Sequence, residues 1–200
     1  MTSINVKWNC HQYFSVMTPI RDFLERYHFP HRSFIIIFNR PKYIYMKGNK
    51  QIIEKLNVLL ADELTAVNQY IVHSEMCQNW GYKHLHDTIR QRAIGEMKHA
   101  EKLIERILFL EGVPTVGVLN RISIGKNIEE QFKNDREAEV EAIGAYNEVI
   151  GLAVEHFDNG TAELLRTILA DEEDHLDWLE TQLEQIHQVE LQNYLLEQIA

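Results

Sequence analysis

The sequence predicts an all-α protein, a bundle of four long helices with a long connection between the second and third and a short fifth helix at the C-terminus. Two features lead there. From Met46 onward, Leu, Ile, Ala, Glu and Lys recur with a helical period, and the pattern is broken at only three places. Gly and Pro are few, nine and four in 200 residues, and 45% of the residues are apolar, enough for one domain with a sizeable core.

The breaks define the elements in order. Asn79-Trp80-Gly81 separates a first helix over about 49–79 from a second over about 82–111. Gly112 to Gly125, with Pro114, separates the second from a third over about 127–157. Asp158-Asn159-Gly160 precedes a fourth over about 161–188, and a short fifth follows around 191–198. The first and last breaks are tight, so the helices they join must be antiparallel. The middle one can span ~45 Å at ~3.3 Å per residue, roughly the length of a 30-residue helix. Helices two and three can therefore run parallel.

Charge divides the chain. Residues 1–45 hold six Lys/Arg against two acids, and the remainder holds 14 against 28. The first segment is rich in aromatics, among them Trp8, Tyr13, Phe14, Phe34 and Tyr45, and has no sustained period, so it is expected to be an extension without a core of its own. A targeting peptide is one reading of it. Translated upstream sequence, with Met46 as the true start, is the reading preferred over it. A net charge of −10 argues against a nucleic-acid partner and suits cations. No apolar run approaches the length of a membrane span, the longest being Phe34 to Phe38. Cys10 and Cys77 are the only cysteines, which excludes a disulfide framework or a thiolate zinc site and suits a reducing, cytoplasmic setting.

The apolar stripes carry the chemistry, because each is interrupted near its middle by an acid. Helix one reads Leu56, Leu60, Glu63, Val67, Tyr70, and helix two reads Ile89, Ala93, Glu96, Ala100, Leu103. Helix three reads Phe132, Asp135, Glu139, Ala142, Tyr146, and helix four reads Leu165, Ile168, Glu172, Leu176, Leu179. Four inward glutamates cannot all ionise in a dry core unless cations lie among them. Glu96 and Glu172 are each followed three residues later by a histidine, His99 and His175, on the same helix face. Four Glu and two His form the donor set of a dinuclear carboxylate centre, and the mixed oxygen and nitrogen ligation suits iron better than zinc or calcium. Position has to select these pairs, because Glu-x-x-His also occurs at Glu25 to His28, in the extension, and at Glu184 to His187. Glu184 lies ~18 Å along the axis from Glu172 and is read as a solvated surface pair.

At this point the sequence resembles the bacterioferritins, over the whole of Met46 to Ala200. The likeness is carried by "NQY" at 68–70, "NWG" at 79–81, "EMKHAE" at 96–101, "ERILFLEG" at 105–112, "DEEDHLDWLE" at 171–180 and "LQNYL" at 191–195. The resemblance implies a ferritin-like bundle with the long crossover that the second break allows. It implies a ferroxidase that oxidises Fe(II) with O₂ or H₂O₂ at an intrasubunit di-iron site. Glu63 and Glu139 would be terminal ligands, Glu96 and Glu172 bridging ones, and His99 and His175 would each complete one iron. It further implies iron storage as a mineral in a hollow shell of 24 subunits, of one type or two. A b-type haem would lie between paired subunits on Met97, with release of iron assisted by that haem and a small ferredoxin.

Helical geometry turns Met97 about 100° off the core stripe, toward the outside, where an apolar filler at a subunit contact is the plain alternative to a haem ligand. Tyr70 reads as core with a bonded hydroxyl. One departure from the family pattern stands out: Gln91 and Gly95 occupy positions where several members carry His and Asp, so an extra iron site on the cavity wall is expected to be missing or weak. Other classes fit less well. A di-iron oxygenase needs a larger chain, a rubrerythrin-like peroxidase would usually add a Cys-rich segment, and a DNA-protecting shell would lack the four inward glutamates or carry a basic tail.

Overall fold

The computed structural model describes residues 47–199. The expectations for residues 1–45, and for Met46 as the start, lie outside them. All regular structure among the described residues is helical: α1 (Lys50–Trp80), α2 (Lys83–Phe109), α3 (Ile128–Glu155), α4 (Asn159–Val189) and α5 (Leu191–Leu196).

Local chemistry explains where the helices begin and stop. The Asn49 side chain caps α1 by accepting from the Gln51 amide, and α1 stops at Gly81, whose φ of 87° is the left-handed conformation that glycine adopts without cost. Asn127 caps α3 in the same way, accepting from Glu130 N–H. The third break falls earlier than the sequence suggested. Phe157 takes a left-handed φ of 58°, and Asp158 accepts from the Thr161 amide, so Asn159 and Gly160 already belong to the first turn of α4. Arg106 fixes this corner from α2, bonding Asp158 at 2.5 Å and Thr161 at 2.8 Å.

The pairing follows from the contacts. Gly48 N–H donates to the Leu110 carbonyl and Ser74 meets His86, so α1 and α2 are antiparallel. Arg136 meets Glu180, which makes α3 and α4 antiparallel as well. Lys55 reaches Glu148 at 2.7 Å and Gln69 reaches Asp135 at 2.8 Å, so α1 is also antiparallel to α3. Helices α2 and α3 therefore run parallel, and the connection between them travels the length of the bundle.

That crossover has no helix or strand of its own, so its backbone groups need partners elsewhere. One stripe of α1 supplies acceptors. Asn57 accepts from the amide of Thr115, Thr65 from Asn120, Gln69 from Ser123, and His73 Nε2 from Gly125. Because His73 accepts at Nε2, its proton sits on Nδ1 and is donated to Asp135 at 3.0 Å, inside the protein. Gly125 is required at the end of the strap, since a Cβ there would lie 2.3 Å from the Gln131 backbone nitrogen. Helix α5 closes the other end of the chain: Tyr194 is buried against Phe132 and donates to Gln182 at 2.8 Å.

The core is two apolar clusters rather than one. Ile52, Leu56, Leu60, Leu103, Ile107 and Leu165 belong to the first. Leu85, Ile89, Phe132, Leu179 and Tyr194 belong to the second. Between them lies a belt of buried acids and histidines. The strap's anchor should be measurable: His73→Ala removes a partner of a buried carboxylate and a pin of the crossover, and is expected to cost about 3 kcal/mol of unfolding free energy in urea denaturation of the metal-free protein. The exposed ion pair of Lys55 serves as the control, with Lys55→Ala costing less than about 1 kcal/mol.

Candidate metal centre

Each of the four long helices delivers one glutamate to the belt at mid-length. Glu63, Glu96, Glu139 and Glu172 are each no more than 4% exposed. Their register is set by the apolar residues above and below them, which must face the two clusters, so the intervening position on each stripe points inward whatever occupies it. Glu96 and Glu172 carry His99 and His175 on the next turn. All six side chains singled out from the sequence converge, in two overlapping groups: Glu63, Glu96, His99 and Glu172, and Glu96, Glu139, Glu172 and His175. Within each group the donor atoms lie within 4.8 Å of one another, and Glu96 and Glu172 belong to both.

Hydrogen bonds within the protein do not satisfy this cluster. Nδ1 of His99 lies 3.0 Å from both Glu96 Oε2 and Glu172 Oε1 and 3.6 Å from Glu63 Oε2. Nδ1 of His175 is 3.0 Å from Glu96 Oε1, 3.2 Å from Glu172 Oε2 and 3.7 Å from Glu139 Oε1. A single N–H serves one acceptor well, and Glu96 Oε1 and Glu172 Oε1 are buried with no hydrogen bond. Lone pairs from three or four residues aimed at one point fit a cation. With four carboxylates and two imidazoles, the donor set fits two.

A ferritin-like domain family matches residues 53–189. The bacterioferritin of Mycolicibacterium paratuberculosis is 41% identical over 149 residues, covering 74% of this chain and 94% of that protein. The bacterioferritin of Brucella melitensis is 40% identical over 149 residues, 74% of this chain and 92% of that protein. The bacterial ferritin of Synechocystis is 41% identical over 156 residues, 78% of this chain and 100% of that protein. This chain belongs to the bacterioferritin family.

In this bacterioferritin-family chain Tyr70 has the bonded hydroxyl expected of it, whereas Tyr146 and Asp171 were not singled out by the sequence. Tyr146 donates its hydroxyl to Glu63 across the bundle, and Tyr70 donates to Glu139. Burial, reinforced by the nearby glutamates, holds both phenols well above their ordinary pKa, so both remain donors. Asp171 lies 3.0 Å from Nε2 of His99, an arrangement that fixes the imidazole with its other nitrogen toward the glutamates. A signal for Tyr146 was present in the chain: Glu63 to Tyr70 and Glu139 to Tyr146 repeat one spacing on α1 and α3.

The remaining sequence expectations separate in space. Met97 lies outside the cluster, 42% exposed on α2. Gln91 is exposed and Gly95 offers no donor. Glu184 and His187 are both exposed, away from the belt. A cavity of about 260 Å³ runs between α1, α3 and the crossover, from exposed Asn120, Arg121 and Glu141 down to Glu96 and Glu172. No helix among the described residues is long and apolar enough to cross a membrane.

Without metal, protons take the place of cations. Burial pushes the Glu63 carboxyl up to about 8, and burial with Glu172 and Glu96 nearby raises Glu139. Burial also opposes charge on His99, His175 and Glu96, but their mutual hydrogen bonds outweigh it. His99 is pushed up to about 12 and His175 to about 9, and Glu96 is held at about 2. The sign follows. Stabilisation from the raised groups is complete below their ordinary values and is lost as pH climbs through the folded ones, whereas that of Glu96 is lost only toward pH 2. The metal-free protein should therefore lose thermal stability between about pH 5 and 9, and a bound divalent cation, which needs deprotonated ligands, should reverse the trend. Thermal melts across that range with and without Co(II) check this; parallel curves would contradict it.

Proposed function

We propose that this protein stores iron, oxidising Fe(II) at the centre formed by Glu63, Glu96, His99, Glu139, Glu172 and His175 and depositing the ferric product inside a hollow shell of 24 copies. The observation that carries the reading is the pair of shared, buried glutamates, Glu96 and Glu172, each with one oxygen that makes no hydrogen bond and only lies within reach of an imidazole N–H already shared with the other glutamate. Two bridging carboxylates hold two cations close together, as a two-electron step requires. Glu63 with His99, and Glu139 with His175, would complete one position each.

Iron enters this reaction as substrate. Two Fe(II) give up one electron each, and the pair reduces H₂O₂ to water or O₂ to H₂O₂. The protein's part is to bind, orient and move protons. Glu63, Glu139 and the two histidines release protons as cations arrive, while the phenols of Tyr70 and Tyr146 keep the terminal carboxylates in place. The cavity that reaches the centre between α1 and α3, with Asp62 and Glu141 among its walls, offers Fe²⁺ an acidic way in. The net charge of −10 favours the same direction of travel.

Haem b fits the outer surface less directly. Met97 would supply a thioether, and a two-fold contact between α2 helices would bring it near its own copy, so that the haem would serve electron transfer during iron release, with a small ferredoxin as donor. The extension at residues 1–45 is proposed to be dispensable for this chemistry, and the protein to work in the cytoplasm.

Replacing Glu96 and His99 together should bring the initial rate of Fe(II) oxidation down to that of buffer alone. Unchanged kinetics would end the assignment. In aerobic iron additions the protein should take up far more than the two ions per subunit its centre can hold; saturation at two would indicate an enzyme and not a store. After expression with haem supplied, a Soret band should be present and should be lost in Met97→Leu. Its absence from the unaltered protein would remove Met97 as a ligand.

A further inference from the structure

A 76-residue interval runs through the metal centre. It separates Glu63 from Glu139, Tyr70 from Tyr146, Glu96 from Glu172 and His99 from His175. The α1–α2 and α3–α4 hairpins thus present the same four groups at the same register, and each phenol crosses to the terminal glutamate of the other hairpin. In carboxylates, imidazoles and phenols the two halves are chemical copies.

One pair breaks the match. Asp171, immediately before Glu172 in α4, holds Nε2 of His99 at 3.0 Å. The same interval places Gly95 immediately before Glu96 in α2. Glycine offers no acceptor, and Nε2 of His175 has no hydrogen-bond partner among the described residues. The exposures agree: the side chain of His99 is 4% exposed and that of His175 is 17%. On the same helix as Gly95, Arg92 is stacked 4.8 Å from the ring centroid of Trp178 with Nη1 buried and unpartnered. A carboxylate behind a ligating imidazole fixes its orientation and raises its basicity, and losing it typically weakens metal affinity 10- to 100-fold.

Resting on the reading that this centre holds two cations, we propose that its two positions are unequal: the one served by Glu63 and His99 retains its ion, the one served by Glu139 and His175 exchanges it, and Gly95 sets the difference. The asymmetry lets one cation leave the centre while the other stays.

Replacement at Gly95 is sterically open, since a Cβ there meets nothing within 4 Å. The test is a Co(II) titration of the metal-free full chain, followed by visible absorption and calorimetry. The unaltered protein should bind two ions in steps at least about tenfold apart. Gly95→Asp should tighten the weaker step about tenfold, and Gly95→Ala, which also adds a Cβ to the helix but brings no carboxylate, should leave both steps in place. Asp171→Ala should weaken the tighter step toward the other. Two cobalt ions bound in equal steps, or Gly95→Asp behaving as Gly95→Ala, would overturn the proposal while the two-cation reading stood. No cobalt bound would overturn both.

Discussion

Four carboxylates facing one another in a dry interior are the constraint on which the rest of this structure depends. Each glutamate costs several kcal/mol to bury as an ion without a partner, and four together cannot be held by hydrogen bonds alone. Positive charge has to come from somewhere. In the metal-free protein the hydrogen bonds of His99 and His175 to the glutamates favour their charged forms, while burial favours the neutral forms of Glu63 and Glu139. Cations replace those protons at less strain, because one ion accepts lone pairs from several residues at once where one N–H serves a single acceptor.

The fold accommodates such a belt by giving up a continuous core. One apolar cluster lies on each side of it, and each is large enough to fix the register of all four long helices independently of the acids between. Long helices are therefore needed: short ones could not carry an apolar turn on both sides of a mid-length glutamate. The crossover performs a related task. Its amides are pinned along α1 by Asn57, Thr65, Gln69 and His73, and the last two also hold Asp135, so the strap and α3 are both tied to α1, the helix that delivers Glu63.

The sequence made the helices legible because their apolar period is long and rarely broken, and it made the inward glutamates legible because they stand where leucine is expected. The parallel course of α2 and α3 followed from the length of one connection. What stayed hidden depends on contacts across the bundle. The phenol of Tyr146 is an ordinary aromatic on a stripe until α1 brings Glu63 to it, and Asp171 is one acid in an acidic run until α2 brings His99. His73 and Asp135 form a buried pair that no local pattern announces. The break near residue 158 was misplaced by two residues because an aspartate cap and Arg106 tolerate a glycine in the first turn of α4.

Family membership and geometry point the same way without either standing in for the other: relatives about 40% identical align over nearly their whole length, and the six donors of this chain meet at one place. The central claim is that cations belong between the glutamates. Anomalous diffraction at the iron edge from crystals soaked anaerobically in Fe(II) tests it most directly. Two peaks within the belt, both bounded by Glu96 and Glu172, are the result this account requires; an empty belt, or peaks only on the exposed acids of the surface, would contradict it.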